Sequence, residues 1–292
     1  MFPASFGYVA AHSLEEALEL LTRYGDDAKL LAGGHSLIPT MKLRLAAPRT
    51  LIDLGQVPGL RGVREDGGNL VIGALTVHAD VASSEAVRRH LPGLATAASG
   101  IGDWQVRNRG TIGGSIAHAD PAADFPVILT ALNATFVLIS PSGKRNVAVD
   151  DFFIDFYTTA LTSNEVLTEI VIPLPPSGTG TAYAKLENPA SRYVVVSAGA
   201  LITQRSSGQC ECARIAIGGI GSGPVRATAT ETALQGQTLT PEVIAAAASK
   251  AAEGENPDGD IYASADYKRQ MVTVYARRAM EEAAGRIGGT DR

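Results

Sequence analysis

Two stretches of this chain pair glycines with a hydroxyl: Ala32-Gly33-Gly34-His35-Ser36 and Thr111-Ile112-Gly113-Gly114-Ser115. Each is entered from apolar residues. Each is therefore either a turn whose backbone must visit φ > 0 or backbone brought close to a ligand. A doubly charged group such as a diphosphate is well held by backbone N–H groups of turns and helix starts, with Ser and Thr hydroxyls assisting, and a Cβ would keep its oxygens away. Two such loops in one domain would clamp one diphosphate from both sides. Competing motifs fail on spacing. Neither loop is GxxxxGK[ST], and the best approach to GxGxxG, Gly219-Ile220-Gly221-Ser222-Gly223-Pro224, has proline in the sixth place and reads as a strand-to-helix turn.

Other chemistries are excluded by composition. His12, His35, His78, His90 and His118 show no zinc spacing. Cys210 and Cys212, the only cysteines, cannot make a disulfide framework or supply the four thiolates of an iron–sulfur cluster. On a strand they are expected to share one face as small buried thiols. A net charge of −5 gives no electrostatic reason to expect nucleic acid. No apolar run is long enough to span a bilayer and the first residues do not read as a signal peptide, so the expected compartment is the cytoplasm.

The elements that must position the loops follow from pattern. Ser13-Leu14-Glu15-Glu16 is a capping box ahead of Leu14, Ala17, Leu18 and Leu21 at helical spacing, with Gly25 as the stop. "AKLLAGG" is a buried strand entering the first glycine pair, and Ser36 is placed to cap a helix reaching about Leu45, with Pro39 in its first turn. "TLIDL" is a further strand. "LRGVREDGGNLVIGA" and "TFVLISPSGKRNVAV" are hairpins, and residues 76–101 are helical with a break at Pro92. A polar loop leads to the second glycine pair, and Asp120-Pro121 opens a helix. After the strand "EVLTEIVIPL", the cluster Pro173, Pro175, Pro176, Gly178 and Gly180 marks a boundary, giving domains 1–176 (in two parts, about 1–55 and 56–176) and 177–292. Beyond it a three-stranded antiparallel sheet is followed by helices, an α+β arrangement.

"LLAGGHSLIPTMKLRLAAPRTLIDL" together with "RNRGTIGGSIAHADPAADFP" resembles the FAD-binding medium subunits of molybdenum hydroxylases, the group that includes carbon monoxide dehydrogenase medium chains and, within a longer chain, the FAD domain of xanthine dehydrogenase. The resemblance covers essentially the whole length. It implies an α+β fold: a two-part FAD-binding domain of the vanillyl-alcohol-oxidase type, then the smaller C-terminal domain. It puts Leu30, Leu31, Ala32, Gly33, Gly34, His35, Ser36 and Leu37, with Thr111, Ile112, Gly113, Gly114 and Ser115, around the FAD diphosphate. It sets Ile101 against the cofactor and Asp124 on a polar part of it, the alternative for Asp124 being a solvated first-turn helix carboxylate.

By the same resemblance Leu167 and Lys185 flank the isoalloxazine or adenine end, although Lys185 in an alternating strand also reads as a surface lysine. Tyr193 corresponds to an aromatic over the flavin or, alternatively, is a sheet aromatic. "NPASRYVVV" lacks the acidic residue expected beside it. His35 and His118 read as loop walls, and Trp104 and Arg107 shape the approach to the second loop. No side chain of the chain is expected to be catalytic and none to bind metal. The implied function is electron transfer: electrons from a molybdenum centre in a large subunit pass through [2Fe-2S] clusters in a small subunit to FAD, and on to quinone, NAD or oxygen. The implied assembly is a dimer of heterotrimers, cytoplasmic or peripheral at the inner membrane face. Carbon monoxide is the expected substrate of the complex, ahead of N-heterocycles or aldehydes. A self-contained flavin oxidoreductase of the same fold and a non-catalytic module whose glycines are only turns are the other readings.

Overall fold

The computed structural model describes residues 2–288. The first unit is a small parallel sheet. β1 (Gly7–Ala10), α1 (Leu14–Tyr24) and β2 (Ala28–Leu31) are followed by α2 (Leu37–Lys42) and β3 (Thr50–Asp53), in sheet order β1-β3-β2 with both pairings parallel. Ser13 Oγ accepts the Glu16 N–H as its spacing predicts, and α1 turns Ala17, Leu18 and Leu21 onto Ala11 and Ile52. The helix after the first glycine pair stops at Lys42 rather than near Leu45, where Arg44 has φ +63°, and the Ser36 side chain makes no capping bond.

The second unit is a five-stranded antiparallel sheet with helices on one face. β4 (Val63–Asp66) and β5 (Asn69–Gly73) form the first hairpin. α3 (His78–Ser83), α4 (Glu85–His90) and α5 (Pro92–Gly100) follow, Pro92 opening the last as its missing N–H allows. Then come α6 (Trp104–Arg107), α7 (Ile112–His118) and α8 (Asp124–Ala131). β6 (Thr135–Ser140) and β7 (Gly143–Ala148) make the second hairpin, β8 (Phe153–Asp155) and β9 (Thr158–Thr159) a short exposed one, and β10 (Val166–Pro173) runs between the two hairpins, giving the order β4-β5-β10-β6-β7. Two expectations are corrected here. The second glycine pair lies inside helix α7, not in a loop. The next helix begins at Asp124 rather than Pro121, because Asp120 Oδ1 accepts the Ala122 N–H and folds residues 120–123 into a turn.

Beyond the proline cluster, β11 (Thr179–Glu187), β12 (Val194–Gln204) and β13 (Cys210–Gly218) form the expected antiparallel sheet, to which β14 (Val225–Arg226) adds a fourth, two-residue edge strand. α9 (Thr228–Leu234), α10 (Pro241–Ala248) and α11 (Ala265–Arg286) cover it, burying Val272, Ala276, Ala279, Met280 and Ala283 against Ala198, Ala200 and Ile202. The two cysteines do not share a face. A bulge pairs Thr203 with Cys212 but Gln204 with Cys210, so Cys210 is buried, its thiol pushed up to about 11 by burial, while Cys212 is exposed. Every residue of α8 is buried, because it packs on α5 on one side and on β12 and β13 on the other.

Candidate functional site

The first glycine pair hangs from the end of β2, where the Leu54 N–H closes the ladder onto Leu31 O at 3.0 Å. Gly34 has φ +76°, a conformation that suits only a residue without Cβ. Among the described residues the N–H groups of Gly33, Gly34, His35, Ser36 and Leu37 meet no protein acceptor, and the first donor spent is that of Ile38, on Gly34 O at 3.0 Å. Leu37 is the first helical residue, where an N–H is always orphaned. The four before it form a row of free donors of the kind that cradles an anion. The Ser36 hydroxyl is likewise free, and His35 is exposed with Nδ1 3.2 Å from Gly33 O.

The second pair is differently built. Thr111 is the N-cap of α7 (φ −112°, ψ 150°), its Oγ1 accepting the Gly114 N–H at 3.1 Å. Ile112 donates to Thr76 O (3.0 Å), Gly113 to Ala74 O (2.9 Å) and Ser115 to Thr111 O (3.0 Å). A Cβ on Gly113 would lie 2.5 Å from Ala74 Cβ and 2.7 Å from Ala74 O. This glycine is required by the segment it packs on, which corrects the expectation that both pairs spare room for phosphate. Of the donors from Thr111 to Ser115, only the Thr111 N–H is left over, with the Thr111 and Ser115 hydroxyls.

The two segments touch. A Cβ on Gly33 would run into the Arg109 carbonyl and lie 2.8 Å from Gly110 Cα, and one on Gly114 would sit 3.7 Å from Ala32 Cβ. The two segments are thus in contact, with the free backbone donors on the first of them. Under the second jaw lies His78, buried, with Nδ1 unpartnered and its ring 5.2 Å from Phe125. Burial, then the nearby His35 and Arg107 charges, pull its imidazole down to about 4.

A second cluster forms around α8. Asp124, buried rather than solvated, has Oδ1 3.0 Å from both Lys185 Nζ and the Tyr183 hydroxyl that donates to it. Burial pushes its carboxyl up, and Lys185 and then Tyr183 pull it back. Lys185 is no surface lysine. Its ammonium also donates to Gly100 O (2.9 Å) and Arg192 O (2.8 Å), which with Asp124 accounts for its three protons. Ile101 follows Gly100 at the end of α5, half-buried, its carbonyl accepting from Arg107 Nη1 at 2.7 Å. Tyr193 is on the loop before β12, half-exposed, and so is not a sheet aromatic. Leu167 stands apart from this cluster in the core. Its strand meets the second jaw, since Thr168 O accepts the Ala74 N–H at 2.9 Å and Ala74 O holds Gly113.

Several residues here escaped the sequence reading. Tyr183 and Glu187 alternate with Lys185 along β11, a spacing of two that puts all three on one face and could have flagged them. Tyr157 (φ +51°) packs with its ring tilted against His118, the centroids 5.2 Å apart, and nothing in the sequence pairs them. Burial and the Asp120 carboxylate raise both Tyr157 and Tyr193, whereas burial lowers His118. The described residues hold no group of three or more His, Cys, Asp or Glu that could bind a metal ion.

The comparisons with known proteins show the family and the cofactor. Residues 4–175 match the profile described as the FAD binding domain in molybdopterin dehydrogenase, and residues 181–283 that of the CO dehydrogenase flavoprotein C-terminal domain. The chain belongs to this family of oxidoreductase flavin subunits, and FAD is its cofactor. In sequence it is 45% identical over 287 residues to the carbon monoxide dehydrogenase medium chain of Hydrogenophaga pseudoflava, covering 98% of this chain and 99% of that one. It is 38% identical to the 6-hydroxypseudooxynicotine dehydrogenase complex subunit alpha of Paenarthrobacter nicotinovorans, covering 99% and 98%. The solved carbon monoxide dehydrogenase of Hydrogenophaga pseudoflava contains a chain that superposes with a TM-score of 0.95 over 99% of this chain and 100% of its own. The α+β, two-domain FAD-binding architecture expected from the sequence is the one it shares.

Proposed function

We propose that this chain is the FAD-carrying, electron-transfer subunit of an aerobic carbon monoxide dehydrogenase. The free N–H row from Gly33 to Ser36 carries the cofactor part of the reading, and the 45% identity to a carbon monoxide dehydrogenase medium chain supports the substrate of the complex. Its partners would be a large molybdenum-containing subunit and a small subunit with [2Fe-2S] clusters, in a dimer of heterotrimers. When bound, FAD supplies the capacity to take up and release electrons between those clusters and an external quinone, NAD or oxygen.

The chain's own residues bind and position. Gly33, Gly34, His35 and Ser36, with Leu30 to Ala32 leading in and Leu37 leading out, hold the diphosphate from the donor side. Thr111 and Ser115 close it from the other, on a base of Ile112, Gly113 and Gly114. Asp124 would accept from hydroxyls of the cofactor chain, and Ile101 and Tyr193 would face its rings. Lys185, with its protons committed, holds three cofactor walls at a fixed spacing, and Leu167 supports the second jaw from the core. The division into 1–176 and 177–292 is part of this reading, with Asp124 and Lys185 joining the two.

No helix among the described residues is long and apolar enough to cross a membrane. The proposed setting is the cytoplasm, at most peripheral to the inner membrane face. The test is a visible absorption spectrum of the purified chain, with acid release and chromatography of the flavin, then co-expression with candidate partner subunits and assay of carbon monoxide oxidation. FAD bound in equimolar amount and carbon monoxide oxidation by the assembled complex are the expected results. A colourless chain that ignores added FAD would overturn the reading.

A further inference from the structure

The phenol of Tyr183 is the buried titratable group of the Asp124–Lys185 cluster to which the reading above gives no part. Tyr183 is 4% exposed on β11, and its register partner on β12 is Gly199. A Cβ on Gly199 would lie 3.1 Å from Ile128 Cα and 3.2 Å from Ala131 Cβ, so the missing side chain lets α8 close on the sheet beside Tyr183. Asp124 opens α8, and the phenol donates to its Oδ1 at 3.0 Å. The buried Ser197 hydroxyl, on the residue paired with Lys185, lies beside the phenol but bonds to no atom, which leaves Asp124 as the one partner Tyr183 has.

Two donors from one face of β11 thus converge on a single oxygen. Lys185 Nζ also stands 3.0 Å from Oδ1, while no hydrogen bond reaches Oδ2 among the described residues. The two donors are not equivalent. An ammonium is a point charge on a flexible stem, and this one is divided among Asp124, Gly100 O (2.9 Å) and Arg192 O (2.8 Å), with Glu187 3.6 Å away. A phenol has one proton to give, and this one is carried by a rigid ring packed in the core. The phenol therefore decides how the carboxylate is turned, with Oδ1 committed to the protein and Oδ2 left for a donor from outside.

The same bond acts on charge. Burial pushes the Asp124 carboxyl up, Lys185 and then Tyr183 hold it down, and Glu187 adds a last push upward. Tyr193, from the loop before β12, feels the Asp124 charge in turn. The other elements around α8 bring no further titratable group to this end of it. α5 contributes apolar Ala97 and Ala98, His118 of α7 answers to Asp120, and Arg214 of β13, with Asp150, meets the helix at its far end on Thr130 O (3.0 Å). Without the phenol's proton, burial is less opposed. Asp124 would then take up a proton at a higher pH, and a neutral carboxyl is the weaker acceptor.

We infer that Tyr183 is a positioning residue for FAD, holding Asp124 by Oδ1 so that Oδ2 is presented to a hydroxyl of the cofactor. The inference rests on the flavin-subunit reading. FAD titrated calorimetrically into the full chain from about pH 5.5 to about pH 9 tests it, with thermal melting to confirm that each variant is folded at each pH. Tyr183→Phe should weaken FAD by about fivefold at about pH 8 and move the acid-side loss of affinity up by about one pH unit. meta-Fluorotyrosine in place of Tyr183, nearly the same shape and a stronger donor, should move that loss the other way. In an Asp124→Asn background, where no carboxyl is left to titrate, the shift should vanish and Tyr183→Phe should add less than about twofold. An affinity that Tyr183→Phe lowers equally at every pH and equally in the Asp124→Asn background, or does not lower at all, would overturn the inference, as would an acid-side loss unmoved by both replacements. A wild-type chain that bound no FAD would strike the flavin reading and this inference with it. FAD bound by the wild type and indifferent to Tyr183 would strike this inference alone.

Discussion

The two glycine segments look alike in sequence and do opposite things in the fold. The first spends nothing: from Gly33 to Ser36 the backbone donors are open, and its glycines serve a left-handed turn and a close approach to the other segment. The second spends almost everything, its donors gone to Thr76, Ala74 and its own helix cap. A glycine pair beside a hydroxyl is thus a statement about space. What the space is for depends on where the neighbouring N–H groups go, and only an accounting of hydrogen bonds separates a ligand cradle from the buttress that supports it.

That contrast can be broken at several points. The largest effect should come from acid. His78, under the second segment, has its pKa depressed from 6.5 to about 4, so the folded state must stay uncharged where the unfolded chain takes a proton. The stability this neutral imidazole contributes is complete above 6.5 and is lost as pH falls toward 4, by about 3 kcal/mol. Urea unfolding of the FAD-free chain across that range should show the slope, and His78→Leu should flatten it.

Next is Gly113→Ala, whose methyl would press on Ala74. It should cost about 2–3 kcal/mol in urea while the molecules that remain folded keep their affinity for FAD. Gly34→Ala reverses the pattern. Left-handed strain should cost only about 1–2 kcal/mol of stability, but calorimetry should show FAD affinity falling more than tenfold as the donor row turns away. Smallest is a pair of hydroxyl deletions. Thr111→Val removes a helix cap and should lower stability by about 1 kcal/mol. Ser36→Ala removes no protein contact and should leave stability within about 0.5 kcal/mol while weakening FAD by about 1 kcal/mol.

Much of this was legible before any coordinates. The capping box at Ser13, both hairpins and the break at Pro92 are local signals, and local signals place elements well. What the sequence could not disclose was tertiary. Gly113 and Gly114 argue against a helix by propensity, yet α7 forms because Thr76 and Ala74 take its first donors. Asp124 reads as a solvated first-turn carboxylate until α8 is found sandwiched between α5 and the second sheet, where only Lys185 and Tyr183, some sixty residues on, make its burial tolerable. Cys212 faces solvent because of a single bulge that no alternation rule anticipates. The glycine pairs themselves were visible at once. The inequality between them was not.

Amide hydrogen exchange, resolved by residue, with and without FAD, tests that inequality most directly. The amides of residues 33–37 and of Thr111 should exchange fast in the FAD-free chain and become protected when FAD binds, while those of residues 112–115 should be protected in both states. Fast exchange at 112–115 that slows only with FAD, or no change at 33–37, would contradict the assignment of donor row and buttress.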